Sequence, residues 1–208
     1  MSGSNLQRII DNALKTIGKN TGFKYKQYRP DIYTNPLQLR NYLAEHMVGV
    51  SSDEAFKKNP DELEEFLLYL DPVQVQVGDI LQSEDLGKTY VVTDKMELRA
   101  ARGVLAQDRF NVLRPVLLSG DKMTGFDQIG TAIPGAVKVI GASTAKTIAK
   151  GSTLGASSHE LEIWTWVTPG FIHLNDVIEM NSNRYLVQFA QSTVKGTNLK
   201  LKSTKVGV

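Results

Sequence analysis

The chain has 208 residues, with 41% hydrophobic and 22% charged side chains and a formal net charge of +2. That balance suits a globular protein with a substantial core, in one large domain or two small ones, and it excludes binding to nucleic acid by bulk charge. Cysteine is absent, which removes disulfides, thiol catalysis and cysteine-ligated zinc.

Met1-Ser2-Gly3-Ser4 lacks the basic region and apolar run of a secretory signal. No apolar run reaches the roughly 18 to 20 residues that cross a bilayer, so no membrane contact is expected. Ser4 reads as an N-cap. Leu6, Ile9, Ile10, Ala13, Leu14 and Ile17 then recur at helical spacing, with Gly18 as the stop. Such a helix packs either on its own domain or on a neighbouring subunit.

Phe23, Tyr25 and Gln27 alternate with Lys24, Lys26 and Tyr28, the pattern of a half-exposed strand that Pro30 ends. The same interleaving of cations and rings suits a nucleic-acid stripe. Leu37 to Val48 fits a short helix or an irregular strand pair. Asn59-Pro60 opens a predicted helix running to Leu70, with Asp61, Glu62, Glu64 and Glu65 near its positive end. These acids read as a solvated face, because no His or Asp is spaced to complete a metal site.

Asp71-Pro72 reads as a boundary. Val73, Val75 and Val77 alternate with glutamines as a half-buried strand leading into Val77-Gly78-Asp79-Ile80-Leu81. Turn residues 83–88 follow, then Thr89-Tyr90-Val91-Val92, which together predict a hairpin. Phe110 to Leu118 is a closing strand, with Pro115 marking an edge or a bend. Short strands at this spacing predict a small barrel or sandwich.

Residues 119–158 are rich in Gly, Ala, Ser, Thr and Lys around one apolar nucleus, Ile129 to Ile140. A connection of this length is a flexible linker, an ordered arm reaching a neighbouring subunit, or a basic loop facing DNA. The arm reading makes Ile129, Ile133, Val137 and Ile140 candidate subunit-interface residues. The DNA reading makes Lys138, Lys146 and Lys150 candidate channel residues.

Leu161, Ile163, Thr165 and Val167 then alternate with Glu162, Trp164 and Trp166, which places both tryptophans on the outer face as further interface candidates. The hairpin recurs as Leu174-Asn175-Asp176-Val177-Ile178, a turn at Asn181-Ser182-Asn183, and Arg184-Tyr185-Leu186-Val187. Asp79 to Tyr90 is 11 positions and Asp176 to Tyr185 is 9, so the second turn is two residues shorter. A lysine-rich strand from Asn198 to Val206 ends the chain. Its alternating lysines suit an edge strand guarded against stray pairing, or contact with DNA.

The expected fold is therefore mainly β with N-terminal α-helical elements (α+β): two small β-barrel or sandwich-like modules with a long connecting arm. The boundaries are 1–71 for a helical and extended segment, 72–118 for the first β-module, 119–158 for the arm and 159–208 for the second β-module. His46, His159 and His173 have no metal-ligand spacing, and neither a nucleophile elbow nor a phosphate-binding loop is present. Asp79 and Asp176 fall in equivalent turns, where a carboxylate caps backbone amides. No catalytic, cofactor-binding or metal-binding residue is expected, and no enzyme activity.

Tyr28-Arg29-Pro30, Asn35-Pro36-Leu37, Val77-Gly78-Asp79-Ile80, Thr89-Tyr90-Val91-Val92, Trp164-Thr165-Trp166, Pro169-Gly170, Asn175-Asp176-Val177-Ile178 and Arg184-Tyr185-Leu186-Val187 occur in that order. Together they resemble neck proteins of contractile-tailed bacteriophages, the head–tail connector, head-closure, gateway or collar components. The resemblance implies a structural virion protein made in the host cytoplasm. It would form a homo-oligomeric ring of six or twelve copies between portal or connector adaptor and tail-terminator proteins, through which genomic DNA passes with transient contact. A near-neutral chain suits such a channel, because a strongly basic one would hold the genome. A baseplate or tail-tube-associated protein is the first alternative. A nucleic-acid-binding β-barrel using Tyr25, Tyr28 and the basic C-terminal strand is the second.

Overall fold

The computed structural model describes residues 3–30, 34–52, 64–118, 122–140, 160–193 and 196–203. It is mainly β, with an N-terminal helix α1 (Gly3–Thr21) and twelve strands that divide between two compact units.

The first unit holds β1 (Phe23–Tyr28), β2 (Tyr42–Ser52), β3 (Glu65–Tyr69), β4 (Ile80–Ser83), β5 (Lys88–Asp94) and β6 (Ala101–Leu105). They close into a barrel in the order β1-β2-β3-β6-β5-β4, every neighbouring pair antiparallel. The alternation seen in the sequence sets its inside and outside: Tyr25 and Gln27 point in, Lys24 and Lys26 out. Tyr25, Val48, Leu68, Leu81, Tyr90 and Val92 fill the core. Burial, then the neighbouring Tyr90, pushes the Tyr25 phenol up to about 12.

The second unit holds β7 (Asp108–Leu118), β8 (Lys122–Ile140), β9 (Glu160–Thr165), β10 (Val177–Met180), β11 (Asn183–Thr193) and β12 (Gly196–Ser203). They close in the order β7-β8-β9-β12-β11-β10, which is the order of the first barrel shifted by six strands. Its core is Phe110, Val112, Ile133, Ile163, Ile178, Val187 and Leu199, among others. The registers superpose. Tyr25 lies opposite His46 in the first barrel and Phe110 opposite Ile133 in the second. Tyr28 pairs with Ile80, and Leu113 with Val177. One barrel design occurs twice in the chain.

Several boundaries differ from the sequence reading. The first barrel begins at Phe23 and not at residue 72. Residues 65–69 are a strand and not the end of a helix. Five consecutive residues Phe66-Leu67-Leu68-Tyr69-Leu70 carry no period that separates helix from strand, and pairing with β2 and β6 on both sides decides it. The start of that predicted helix lies outside the described residues.

The valines of 73–77 lie in turns and irregular backbone in place of a strand. The amides of Val73 and Gln76 are taken by the carboxylates of Asp71 and Asp79, and that of Gln74 by the Asp71 carbonyl, which withdraws these three from any ladder. Phe110 to Leu118 does not close the first barrel; it opens the second. Within the predicted arm, residues 122–140 form β8, the longest strand of the second barrel, while 141–159 lie outside the described residues. The lysine-rich strand β12 is not an edge: it pairs with β11 on one side and β9 on the other, and closure removes the edge.

The β8 strand bends at a bulge. Thr131 and Ala132 stand opposite the single residue Asn111, whose side-chain Oδ1 accepts the Ala132 amide at 3.1 Å. The Thr131 amide donates to the Thr34 carbonyl at 2.6 Å, and Thr34 and Asn35 group with this second unit although they stand between β1 and β2 in the chain.

Candidate assembly surface

The two recurring turns hold the most specific polar geometry. Asp79 is 1% exposed and accepts from Arg29 Nε at 2.7 Å and Arg29 Nη2 at 2.8 Å, a two-pronged ion pair. The Gln27 side-chain amide and the Gln76 backbone amide complete the shell at 2.6 and 2.8 Å. In the second barrel Asp176 accepts from Arg114 Nε at 2.9 Å, Arg114 Nη2 at 2.8 Å and the His173 amide at 2.8 Å. Each arginine also reaches the carbonyl five residues before its aspartate, Gln74 or Phe171. Gly78 and Asn175 precede the aspartates with φ of 92° and 70°, and their amides bond Val92 and Val187 on the facing strand. The carboxylates therefore cap turn amides as the sequence suggested, and each also anchors the first strand of its barrel.

Behind Asp79 the first barrel carries a polar chain that the second lacks. Gln27 Nε2 donates to Asp79, so its Oε1 faces His46 Nε2 at 2.7 Å, and that imidazole nitrogen carries the proton. Burial holds the His46 pKa below the usual imidazole value, against the opposing pull of Asp71 and Asp79. Burial raises the carboxyl of Asp71, but the 2.9 Å Lys15 hydrogen bond and the Val73 amide outweigh it and leave Asp71 below the usual range. Val112 and Ile133 occupy the matching places of the second barrel. No group of three or more His, Cys, Asp or Glu among the described residues is arranged to hold a metal ion.

The residues expected at a subunit interface separate in the structure. Ile133 is fully buried in the second core and is no surface residue. Trp164 lies on the outer face of its strand yet is 5% exposed, because its indole is seated over Gly196, where a Cβ would stand 2.7 Å from the ring. The chain itself supplies the cover that the sequence reading assigned to a neighbour. Trp166, Ile129 and Val137 are half-buried against the same core. Ile140 pairs with Glu160 at the end of β8.

The residues expected at a DNA channel fare similarly. Lys138 is half-buried and sits opposite Glu162, which sits opposite Lys200, so it belongs to a ladder of alternating charge on the barrel wall. Lys200 also lies 5.7 Å from the centre of the Phe189 ring. Lys146 and Lys150 lie outside the described residues. Tyr25 and Tyr28 are 2% and 8% exposed, which leaves no ring face open for stacking bases.

Among the described residues, an uncovered apolar stripe runs along one side of α1. The helix meets β2 and β3 through Leu14 and Gly18, where a Cβ on Gly18 would stand 2.8 Å from the Met47 carbonyl and nearer still to that of Tyr69. Lys15 to Asp71, and the Gln7 side chain to the Leu98 amide at 2.8 Å, fix the same side. Leu6, Ile9, Ala13 and Ile17 remain exposed, the three large ones at 42%, 53% and 40%. At about 3.6 residues per turn, that stripe is centred roughly a third of a turn away from the line that touches the barrel. No helix among the described residues is long and apolar enough to cross a membrane.

Compared with known proteins, the chain has no significant match: no family model matches it, and neither a curated protein nor a solved structure does.

Proposed function

We propose that this chain is a structural virion protein of a tailed bacteriophage, forming a ring in the neck that joins the portal or connector to the tail and lets DNA pass. The observation that carries this reading is the placement of the resembling motifs. Val77-Gly78-Asp79-Ile80 and Asn175-Asp176-Val177-Ile178 occupy equivalent turns of two closed barrels, each clamped by the arginine of an Arg-Pro dipeptide. Closed barrels without sheet edges are rigid units that do not pair promiscuously, which suits a subunit held in a fixed ring. The uncovered face of α1 supplies apolar surface for assembly.

Native mass spectrometry of the purified chain, alone and mixed with connector and tail-terminator proteins, tests the reading. A ring, or a monomer that becomes a ring on the connector, is expected. A monomer in both samples overturns it, and binding to tube or baseplate proteins in place of the connector moves the protein to another part of the tail.

A further inference from the structure

We propose that the outer edge of β8 from Thr124 to Gln128 is a docking site for an extended segment of another protein, which adds to it as a strand and sets a lysine or arginine opposite Asp127. The inference goes beyond the neck reading and draws nothing from it.

The body of the second barrel is closed, but β7 and β8 run on past it as a two-stranded ribbon. β10 follows β7 no farther than Leu113, whereas β7 stays paired with β8 through Arg114–Asp127, Pro115–Phe126 and Val116–Gly125. On its other side β8 meets β9 only from Gly135 onward, and between the two lies the Thr131 amide, taken by the Thr34 carbonyl. The first barrel builds no such ribbon. Its β1 ends at Tyr28, opposite Tyr42 and just before Arg29-Pro30. The two copies part at the same Arg-Pro dipeptide, and the second alone continues from it as paired strands.

Proline decides which edge of the ribbon is open. Pro115 has no N–H, so its pair with Phe126 is not one that exchanges two hydrogen bonds. Bonded and non-bonded pairs alternate along an antiparallel ladder, which makes Arg114–Asp127 and Val116–Gly125 the bonded ones. Leu113 fits the same alternation, since it turns from Gln128 to pair with Val177 of β10. The N–H and C=O of Phe126 and Gln128 therefore point away from β7, and no strand among the described residues pairs with them there. The β7 edge is blunted by Pro115, whereas β8 has no proline from Thr124 to Gln128.

These groups identify the occupant. Donors and acceptors that recur every second residue on an extended backbone match another extended backbone, and neither a lipid nor a nucleic acid presents that alternation. Asp127 is exposed, and its carboxylate pairs with no cation among the described residues, so a lysine or arginine directly opposite completes the pair. A second copy offering the same edge fits less well. Antiparallel pairing that uses the groups of Phe126 and Gln128 together sets Asp127 against Asp127.

The test selects binders for the full chain from a random library of peptides of about 10 residues, in parallel with Gln128→Pro and Asp127→Lys. Gln128→Pro removes an outward amide and leaves the bonds to β7 in place, and Asp127→Lys changes one exposed side chain. Peptides selected on the unaltered chain are expected to be rich in lysine and arginine and to slow hydrogen exchange at the Phe126 and Gln128 amides. They are expected to bind Gln128→Pro at least about tenfold more weakly, and selection on Asp127→Lys to turn to acidic peptides. Unaltered exchange over β9 and β12 checks that the variants fold, and if Gln128→Pro does not, the Asp127→Lys selection decides. Peptides that bind Gln128→Pro at unaltered strength, a selection indifferent to the charge at position 127, or no selected peptide at all overturns the inference. Slow exchange at both amides in the free chain at every concentration also overturns it, because the chain then covers its own edge. Protection that grows with chain concentration gives the edge to a second copy and overturns it too. None of these outcomes bears on the neck reading, which native mass spectrometry tests separately.

Discussion

Arg114 and Asp176 face each other in the second barrel as Arg29 and Asp79 do in the first, with both pairs joined by two hydrogen bonds of 2.7–2.9 Å. In each pair the aspartate is buried and the arginine is 36% exposed. The pair ties one strand, at its end in the first barrel and at its middle in the second, to the turn before another strand far along the chain. Its repetition is the strongest sign that the two barrels share one design.

Removing either arginine strands a buried carboxylate. Arg29→Ala and Arg114→Ala are each expected to destabilise by about 3 kcal/mol, within the range for breaking a buried pair from one side. The loss is larger for Arg114→Ala. Asp79 keeps both the Gln27 and Gln76 donors, whereas Asp176 keeps only the His173 amide. Denaturant unfolding of both variants measures the order, and equal losses would contradict this account.

Gly78 and Asn175 adopt the same left-handed backbone with different side chains. Gly78→Ala is expected to cost about 1 kcal/mol or more, and Asn175→Gly to stabilise by up to about 1 kcal/mol, since glycine enters this region without a steric penalty. Thermal unfolding of the two variants gives shifts of opposite sign.

Gly18→Ala separates helix propensity from packing. In an isolated helix the change stabilises by about 1 kcal/mol. Here the new methyl would run into the backbone carbonyls of Tyr69 and Met47. The expected outcome is a helix that leaves the barrel, seen as faster amide hydrogen exchange over residues 3–21 with the strands of the barrel still protected.

His46 makes the first barrel sensitive to acid. Its pKa is lowered on folding, so the folded state binds fewer protons than the unfolded chain once the pH drops below the unfolded value of about 6.5. Stability that is complete above that value is lost as pH falls toward the folded pKa. The second barrel has Ile133 at this place and lacks the effect. Unfolding followed from pH 8 to 5 is expected to show the loss in the unaltered chain and a flatter profile in His46→Gln.

Much of the fold was legible because it rests on period and local turn chemistry. The spacing of Leu6, Ile9, Ile10, Ala13, Leu14 and Ile17 gave the helix, the alternation from Phe23 to Gln27 gave β1, and the Gly-Asp and Asn-Asp turns gave both hairpins and their two-residue difference in length. The Arg–Asp clamps were missed, although a signal was present: the chain has two Arg-Pro dipeptides, Arg29-Pro30 and Arg114-Pro115, each ahead of one recurring turn. Strand identity for Glu65–Tyr69, and the membership of Phe110 and of residues 122–140 in the second barrel, were not readable from local pattern.

The amino-acid sequence by itself determined the β class, the amphipathic helix and the repetition of one hairpin, because propensity, alternation and turn residues act over a few neighbours. Tertiary structure alone decided which strands close which barrel, since that depends on pairings between residues far apart in the chain. It also decided which apolar residues stay uncovered. Trp164 has the chemistry of an interface anchor but is covered by the backbone at Gly196, while Ile9 and Ile17, whose spacing suits packing on their own domain or on a neighbour, stand uncovered because close approach at Gly18 seats the helix on a different side. Burial is a property of what packs on a residue, and the periodicity of the residue's own element does not contain it.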